Sequence, residues 1–354
     1  MTPPKIAIVV LNYNGSQFLE KFIPVLIKNS SSNIAHIEFW VIDNASTDLS
    51  VDVIKKFPEI NLVTLNQNLG FAAGYNEGLK SITADFYVLI NSDVEVTEDW
   101  IEPLLNVFFK NESVAAVQPK ILSYKEKDFF EYAGAAGGFM DYLGYPFCRG
   151  RIFDTVERDH GQYDDCSRIF WASGACIMLR SKIFWEAGGF DPLFFAHMEE
   201  IDLCWRIQHL GYEIMVQPKS VVYHVGGGTL HYASPFKTYL NFRNSLFVLV
   251  KNHPSRFWWG IIFLRLLLDM PSAFFLSFKA GLGHLMAVLK AHFSFYRHFP
   301  AMIHKRRNAK LSAETAQQLQ PFSIVWQYFV KRKRTYLDLL SSDVFHTPRS
   351  FSKK

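Results

Sequence analysis

Asp85-Phe-Tyr-Val-Leu-Ile-Asn-Ser-Asp-Val-Glu95 decides how this chain of 354 residues is read. Phe86 to Ile90 form an unbroken apolar run, short enough for a strand buried on both faces. The run stops at Asn91-Ser92-Asp93. In open α/β sheets ligands bind beyond the carboxyl ends of the strands. A carboxylate there suits a divalent cation, and an amide two residues earlier suits a sugar hydroxyl. A strand ending in a polar turn accounts for this segment by itself, so the surrounding chain has to decide.

Upstream, Lys5–Leu11 reads as a first strand running into Asn12-Tyr-Asn-Gly15. Ser16–Lys28 places apolar residues at 18, 19, 22, 23, 26 and 27, which is helical spacing. Glu38–Ile42 is a second strand ending at Asp43-Asn44. Ser46 or Thr47 is a candidate cap for the next helix, with Asp48 in its first turn. Asn61–Leu65 is a third strand, and Ala72–Ser81 a helix rich in small residues. The pattern predicts a βαβαβαβ unit with a parallel sheet. Asn12, Asn14, Asp43, Asn66, Asn68, Asn91 and Asp93 all fall at strand carboxyl ends, which points to one polar crevice for a nucleotide. No GxGxxG follows the first strand and no Walker A sequence is present, so nicotinamide and flavin cofactors are disfavoured. Phosphate charge is then most simply met by a metal on Asp93.

Downstream, Trp100–Lys110 reads as a helix and Val114–Ile121 as a strand; residues 128–168 fit no regular pattern. Ile169–Leu179 reads as a strand with a small-residue step at Ala172-Ser-Gly-Ala175. Glu199, Glu200 and Asp202 sit at the start of a helix running to about Leu210. Acids there suit the helix dipole. A carboxylate among other carboxylates and apolar walls also gains proton affinity, which suits a general base. Glu213–Gln217 and Val221–His224 read as two short strands. His224 is either a core histidine or a metal ligand.

Charge divides the chain. Residues 1–235 carry 18 Lys+Arg against 29 Asp+Glu, whereas residues 236–337 carry 16 against 2. With 33 Phe and 16% aromatic residues, the basic part suits a membrane surface. Phe257–Phe278 is long enough to cross a bilayer, but Arg265, Asp269 and Pro271 interrupt it, so helices lying in the interface are expected. Arg265 and Asp269 share a helix face and are placed to pair. Arg297, Lys305-Arg-Arg307, Lys310 and Lys331-Arg-Lys-Arg334 suit anionic headgroups. Phe/Leu-rich helices without an RNA-binding signature argue against nucleic acid. The four cysteines form no CxxC or Cys/His pattern, which argues against zinc and a disulfide framework. The N-terminal run lacks a signal peptide's length and cleavage site, so a cytoplasmic or cytoplasm-facing protein is expected.

Taken together, VVLNYNG (9–15), DNASTD (43–48), NLGFAAGYNEG (68–78), LINSDVEV (89–96), SGACIMLR (173–180), GGFDPLFFAHMEEIDLCWR (188–206) and YHVGGGT (223–229) resemble, in order, the inverting family-2 glycosyltransferases. The likeness is to the bacterial rhamnosyltransferase-like branch and covers roughly residues 5–250. It implies a GT-A fold: an α/β, Rossmann-like mixed sheet flanked by helices. The expected domains are 1–250, catalytic, and 251–354, a basic, aromatic-rich helical membrane-associating region and tail.

The resemblance also implies roles. Asp43 would contact the donor nucleobase, with Asn12 and Asp48 shaping that pocket. Asn66, Gly70 and Asn76 would line the ribose and diphosphate. Asn91 and Asp93 occupy the family's Asp-x-Asp element, Asp93 binding Mn2+ or Mg2+; Asn91 departs from the usual Asp but still accepts a hydrogen bond. Glu200 stands where the family has its base, usually Asp, and Glu199 is the neighbouring alternative. His224 matches a late metal ligand. Arg243 of the Arg243-Asn244 pair would meet a phosphate, although an exposed basic face explains it equally. The implied partners are a nucleotide-sugar donor such as dTDP-rhamnose, a lipid-linked glycan acceptor and the cytoplasmic leaflet of the inner membrane, bound peripherally or monotopically. A sugar-1-phosphate nucleotidyltransferase would need a basic residue in the first loop, which NYNGS lacks. A non-catalytic nucleotide-sugar-binding subunit is the other alternative.

Overall fold

The computed structural model describes residues 2–226, 234–341 and 345; Gly227, Gly228 and Thr229 of the YHVGGGT stretch and the end of the tail lie outside them. β1 (Lys5–Asn12), β2 (His36–Asp43), β3 (Ile60–Thr64) and β4 (Phe86–Asn91) alternate with α1 (Ser16–Asn29), α2 (Ser50–Ile54) and α3 (Gly70–Leu79). The strands run parallel in the order β3-β2-β1-β4. The order reverses at β1, so the crevice beside it is a topological switch point. Register sets Asn12 opposite Asp43 and Leu11 opposite Asn91, which gathers the polar strand ends on one edge.

Period-2 alternation divides these strands between two cores. Ala7, Val9, Tyr87 and Leu89 pack with Ala72, Tyr75 and Leu79 of α3. Ile6, Ile8, Val10, Phe86, Val88 and Ile90 pack with Leu19, Ile23 and Leu26 of α1. Leu104, Leu105 and Phe108 of α4 (Ile101–Lys110) join the second core.

The chain continues through β5 (Val94–Val96), α4, β6 (Val114–Ser123) and a small sheet of β7 (Gly138–Met140), β8 (Pro146–Cys148), β9 (Arg151–Ile152) and β10 (Thr155–Val156). Then come β11 (Ser167–Ile169), β12 (Cys176–Arg180), α5 (Ser181–Glu186), α6 (Glu199–His209) and β13 (Glu213–His224). The large sheet extends from β4 as β12-β6-β13-β11, with β12 antiparallel to both neighbours.

Three local expectations are corrected. The run 169–179 is not one strand: it breaks between β11 and β12, where Ser173 Oγ donates to Ala133 O and accepts from Ala175 N. The two short strands at 213–224 are one, with an irregularity between Gln217 and Val221. Neither Ser46 nor Thr47 caps α2, which starts at Ser50; the Asp48 carboxylate instead accepts from Ser16 N and Ser50 N, each at 3.0 Å.

The helices after β13 are α7 (Pro235–Asn252), α8 (Trp258–Ala280), α9 (Leu282–Asn308), α10 (Ile324–Phe329) and α11 (Tyr336–Leu340). They pack onto the preceding residues. Tyr336 of α11 meets Phe139 of the small sheet, ring centroids 5.1 Å apart. The buried Lys251 of α7 bonds Asp191 Oδ2 at 2.6 Å and Asp202 Oδ2 at 2.9 Å. Lys305 of α9 reaches Asp191 Oδ1 at 2.6 Å, and Arg306 donates to Val250 O and His253 O. These two cations, expected at headgroups, are therefore turned inward. Burial works against the Asp191 charge, but Lys251 and Lys305 outweigh it and hold the carboxyl well below its usual range. Lys251→Met removes the buried cation that Asp191 and Asp202 share, leaving Lys305 on the first and Arg206 with Asn252 on the second, and is expected to lower the unfolding free energy by about 3 kcal/mol, read from urea denaturation.

Candidate active site

The crevice is built by side chains that satisfy one another. Asn12 Nδ2 donates to Asp43 Oδ1 at 3.2 Å and to Ser46 Oγ at 3.1 Å. Ser46 N returns a bond to Asp43 Oδ2 at 3.0 Å. Asn14, held at φ 52°, takes Thr47 N on its Oδ1 at 2.7 Å. Thus Asn12, Asp43 and Asp48 share one wall, and hydrogen bonds hold Asp48 below the usual carboxyl range against its partial burial. Asn44 links to Asn68 Oδ1 and Gly70 O, shaping the loop on which Asn66 is exposed. Asn76 is spent elsewhere: its amide pairs with both N and O of Phe190.

Gly70 has φ +76°, and a Cβ there would stand 2.7 Å from Phe195 O. That clearance lets Phe71 N and Ala72 N donate to Phe195 O at 2.7 and 3.2 Å. The start of α3 is thereby tied to the loop leading into α6.

At the sheet edge, β5 pairs with the end of β13, setting His224 opposite Val94, and Val225 N donates to Asp93 O at 3.0 Å. His224 Nε2 then lies 3.2 Å from Asp93 Oδ1, and Nδ1 lies 3.4 Å from Glu131 Oε1. All three side chains are buried. Burial opposes the Asp93 charge, but the bond to His224 outweighs it and keeps the carboxyl below its usual range. Burial likewise opposes charge on His224; Asp93 and Glu131 prevail and push the imidazole up to about 10. The Asp93 carboxylate suits Mn2+ or Mg2+, and His224 would join it as a ligand on releasing the proton that Asp93 and Glu131 favour. Among the described residues no group of three His, Cys, Asp or Glu is placed to hold a metal by itself, so further ligands would come from substrate or water. Glu131, in the stretch without a periodic pattern, had no signal in the sequence.

Glu199 and Glu200 open α6. No side chain caps this helix, and Met198 before it has φ 73°. Asp202 is not part of the acid pair: it is fully buried and bonded to Arg206, Lys251 and Asn252. Burial pushes Glu200 up to about 7, and burial with the neighbouring Glu200 raises Glu199 well above the usual range. Glu199 is enclosed whereas Glu200 keeps partial exposure. A methyl on Gly174 would touch both Phe71 and Glu200, and the next carbonyl, Ala175 O, accepts from Asn91 N at 3.0 Å. The small-residue step therefore brings the acid pair up to the Asn91–Asp93 turn.

Arg243 donates to Leu193 O, Phe194 O, Tyr239 Oη and Asn244 Oδ1. The loop it grips contains His197, whose imidazole burial pushes down to about 4 and whose Nε2 has no hydrogen-bond partner.

A model of the family described as Glycosyl transferase family 2 matches residues 7–188. The chain belongs to glycosyl transferase family 2. It is a glycosyltransferase with the GT-A fold. Relatives include the N-acetylglucosaminyl-diphospho-decaprenol L-rhamnosyltransferase of Mycobacterium tuberculosis, 25% identical over 61% of this chain and 75% of that protein. The low-salt glycan biosynthesis hexosyltransferase Agl10 of Haloferax volcanii is 23% identical over 68% of this chain and 73% of that protein. Among solved structures, Staphylococcus aureus TarS 1–349 with UDP-GlcNAc superposes with TM-score 0.56 at 15% identity, over 88% of this chain and 85% of that one. GalNAc-T7, crystallised with UDP, GalNAc and Mn2+, gives 0.54 at 16% identity over 71% of this chain and 48% of that one.

Because the folded state raises the proton affinity of Glu200, the folded chain keeps a proton that the unfolded chain releases between the ordinary Glu range and pH 7. The stability this lends is full below the ordinary range and is lost as pH rises toward 7. Glu200→Gln is therefore expected to melt at a higher temperature than the parent at pH 8 and at nearly the same temperature at pH 4, by calorimetry.

Proposed function

We propose that this glycosyltransferase inverts the anomeric carbon while moving a sugar, dTDP-rhamnose being the favoured donor, onto a lipid-linked glycan acceptor in cell-surface polysaccharide synthesis. The observation that carries the reading is the Asp93–His224 pair at the strand ends, joined through Asn91, Ala175 and Gly174 to Glu200. The donor assignment leans on the rhamnosyltransferase relative, whose name specifies a lipid-diphosphate acceptor.

In this reading Asp43, Asn12 and Asp48 receive the nucleobase, and Asn66, Gly70 and Asn91 line the ribose and diphosphate. Asn76 supports them through the Phe190 backbone. Asp93 and a deprotonated His224 would hold the divalent cation, which when bound would offset charge on the departing diphosphate. Glu200, ionised, takes the proton of the acceptor hydroxyl. That oxygen bonds to the anomeric carbon as the carbon–oxygen bond to the diphosphate breaks, and the electron pair leaves with the nucleoside diphosphate. Glu199, enclosed and protonated, keeps a second negative charge away from the base.

Asp93→Ala and Glu200→Gln, shown to be folded, are each expected to lower turnover by at least about 100-fold, measured as nucleoside diphosphate release across a panel of nucleotide sugars with and without Mn2+. Parental rates in either variant sink the proposal. Turnover of the parent should rise about tenfold from pH 6 to pH 8, as a base titrating near 7 requires.

The same reading places the chain on the cytoplasmic leaflet of the inner membrane. By length and composition α8 is able to cross a bilayer, with mean hydropathy 1.8 over its most apolar window. Its charges argue for lying on the surface. Arg265 is buried against the protein, donating to Leu143 O and Ser245 Oγ and stacking on Tyr145, while Asp269 accepts from His292. On the opposite face of α8, Phe263, Leu267, Phe274 and Phe278 are exposed, and on α9 Leu282, Met286, Leu289, Phe293 and Tyr296 repeat at helical spacing. Each helix packs one face against the protein, where α8 keeps Arg265 and Asp269 paired, and leaves an apolar face free, as an interfacial hairpin requires. A Phe263→Asp/Phe278→Asp/Phe293→Asp variant is expected to stay folded and to lose sedimentation with vesicles containing anionic lipid. Undiminished sedimentation contradicts the placement.

A further inference from the structure

The segment entering α6 is an unusual piece of backbone. Phe195, His197 and Met198 have φ of 64°, 67° and 73°, a region that L-residues with large side chains rarely adopt. Such a loop has no local preference for its shape, and no side chain caps the helix it starts. It is shaped from outside. On one side Phe71 N and Ala72 N hold Phe195 O. On the other, two adjacent side chains of α7 hold the remaining carbonyls. Arg243 Nη2 donates to Leu193 O at 3.1 Å and Phe194 O at 3.0 Å. Asn244 Nδ2, fully buried, donates to Phe194 O, Ala196 O and His197 O at 3.0, 2.9 and 2.7 Å. Arg243 Nε in turn orients the Asn244 amide through its Oδ1 at 2.9 Å.

We propose that Arg243 and Asn244 are positioning residues: they fix the 193–198 backbone in its left-handed path and so set where the Glu199–Glu200 pair stands over the donor crevice. The pair acts through carbonyls, not through substrate phosphate. α7 is also the helix that meets the membrane-facing hairpin, through Thr238 to His284 and Tyr239 to Ser294. One helix therefore links the surface where a lipid-linked acceptor arrives to the loop carrying the base. This rests on the reading of Glu200 as base.

The test compares Asn244→Ala, Arg243→Ala and Arg243→Lys with the parent and with Glu200→Gln. Hydrogen–deuterium exchange should show lost protection in residues 195–201 with protection of β1 and β4 unchanged. Turnover with the nucleotide sugar selected by the donor panel should fall about 100-fold in the alanine variants, the cost of a displacement near 1 Å. Arg243→Lys, which keeps the charge but not the fork, should fall about tenfold. Calorimetric affinity for dTDP with Mn2+ should stay within about twofold, since the hydrogen bonds of Arg243 and Asn244 go to the 193–197 backbone, to Tyr239 and to each other rather than to Asn12, Asp43, Asp48 or Asp93. Loss of dTDP affinity in Arg243→Ala would instead establish a phosphate contact and overturn the proposal. So would unchanged exchange at 195–201, or protection lost evenly across the chain. If Asn244→Ala does not fold, Arg243→Lys gives the same readouts. If Glu200→Gln keeps parental turnover, the base assignment has failed, and exchange at 195–201 still decides the positioning role.

Discussion

Everything at the site depends on the pairing of β13 with two different strands. Its first half follows β6 in parallel; after the irregularity between Gln217 and Val221 its end also pairs with β5. β5 follows directly on the turn at Asn91-Ser92-Asp93, so this second pairing carries His224 to Asp93 across a sequence separation of 131 residues. A strand that continued straight along β6 alone would leave Asp93 as a polar strand end with nothing opposite it. The bulge is the kind of small local defect that re-aims a side chain at a site, and here it aims an imidazole.

The acid pair is placed by a different economy. Glu199 and Glu200 are held in an apolar enclosure that penalises their charge, and they start a helix without a side-chain cap. Both features cost stability. They are offset by the buried network one turn further along, where Asp202 meets Arg206, Lys251 and Asn252, and Lys251 also meets Asp191. Three of these partners come from α6 or the loop before it and two from α7, so the network clamps α6 to α7 while leaving the first turn free for chemistry. Asp202 stands apart from the acid pair in its bonding: Lys251 and Arg206 meet its charge, while its repulsion still adds to the rise at Glu199.

Much of the N-terminal half was legible because its strands are buried on both faces and end abruptly. The runs at Lys5–Leu11 and Phe86–Ile90 match β1 and β4 to within a residue, and register alone then assembled Asn12, Asp43 and Asn91 on one edge. Residues 128–168 were not legible because their strands are two or three residues long and are held by neighbours distant in sequence, such as Trp171 and Tyr336 against Phe139. A period cannot show in three residues. Glu131 was missed, and Asn244 was noted beside Arg243 without a role of its own, for a related reason: their meaning lies in an imidazole and carbonyls that only the folded chain brings to them. Pro271 was expected to interrupt the Phe257–Phe278 stretch, yet α8 passes through it, as α9 passes through Pro300, since packing on one face and apolar surface on the other outweigh one lost bond.

The departures at positions 91 and 200 make sense as charge management. The crevice already collects Asp93, Glu131, Glu199 and Glu200, and the ligand it is read to accept is a diphosphate. A carboxylate at 91 would add another negative group two residues from Asp93. Asn91 keeps an acceptor oxygen for a hydroxyl without that repulsion. At position 200 the backbone of α6 brings the Glu200 Cβ against the space that Gly174 leaves open. A methyl at 174 would lie 3.8 Å from that Cβ and 3.4 Å from the Phe71 ring, so a side chain at 174 would crowd the start of α6.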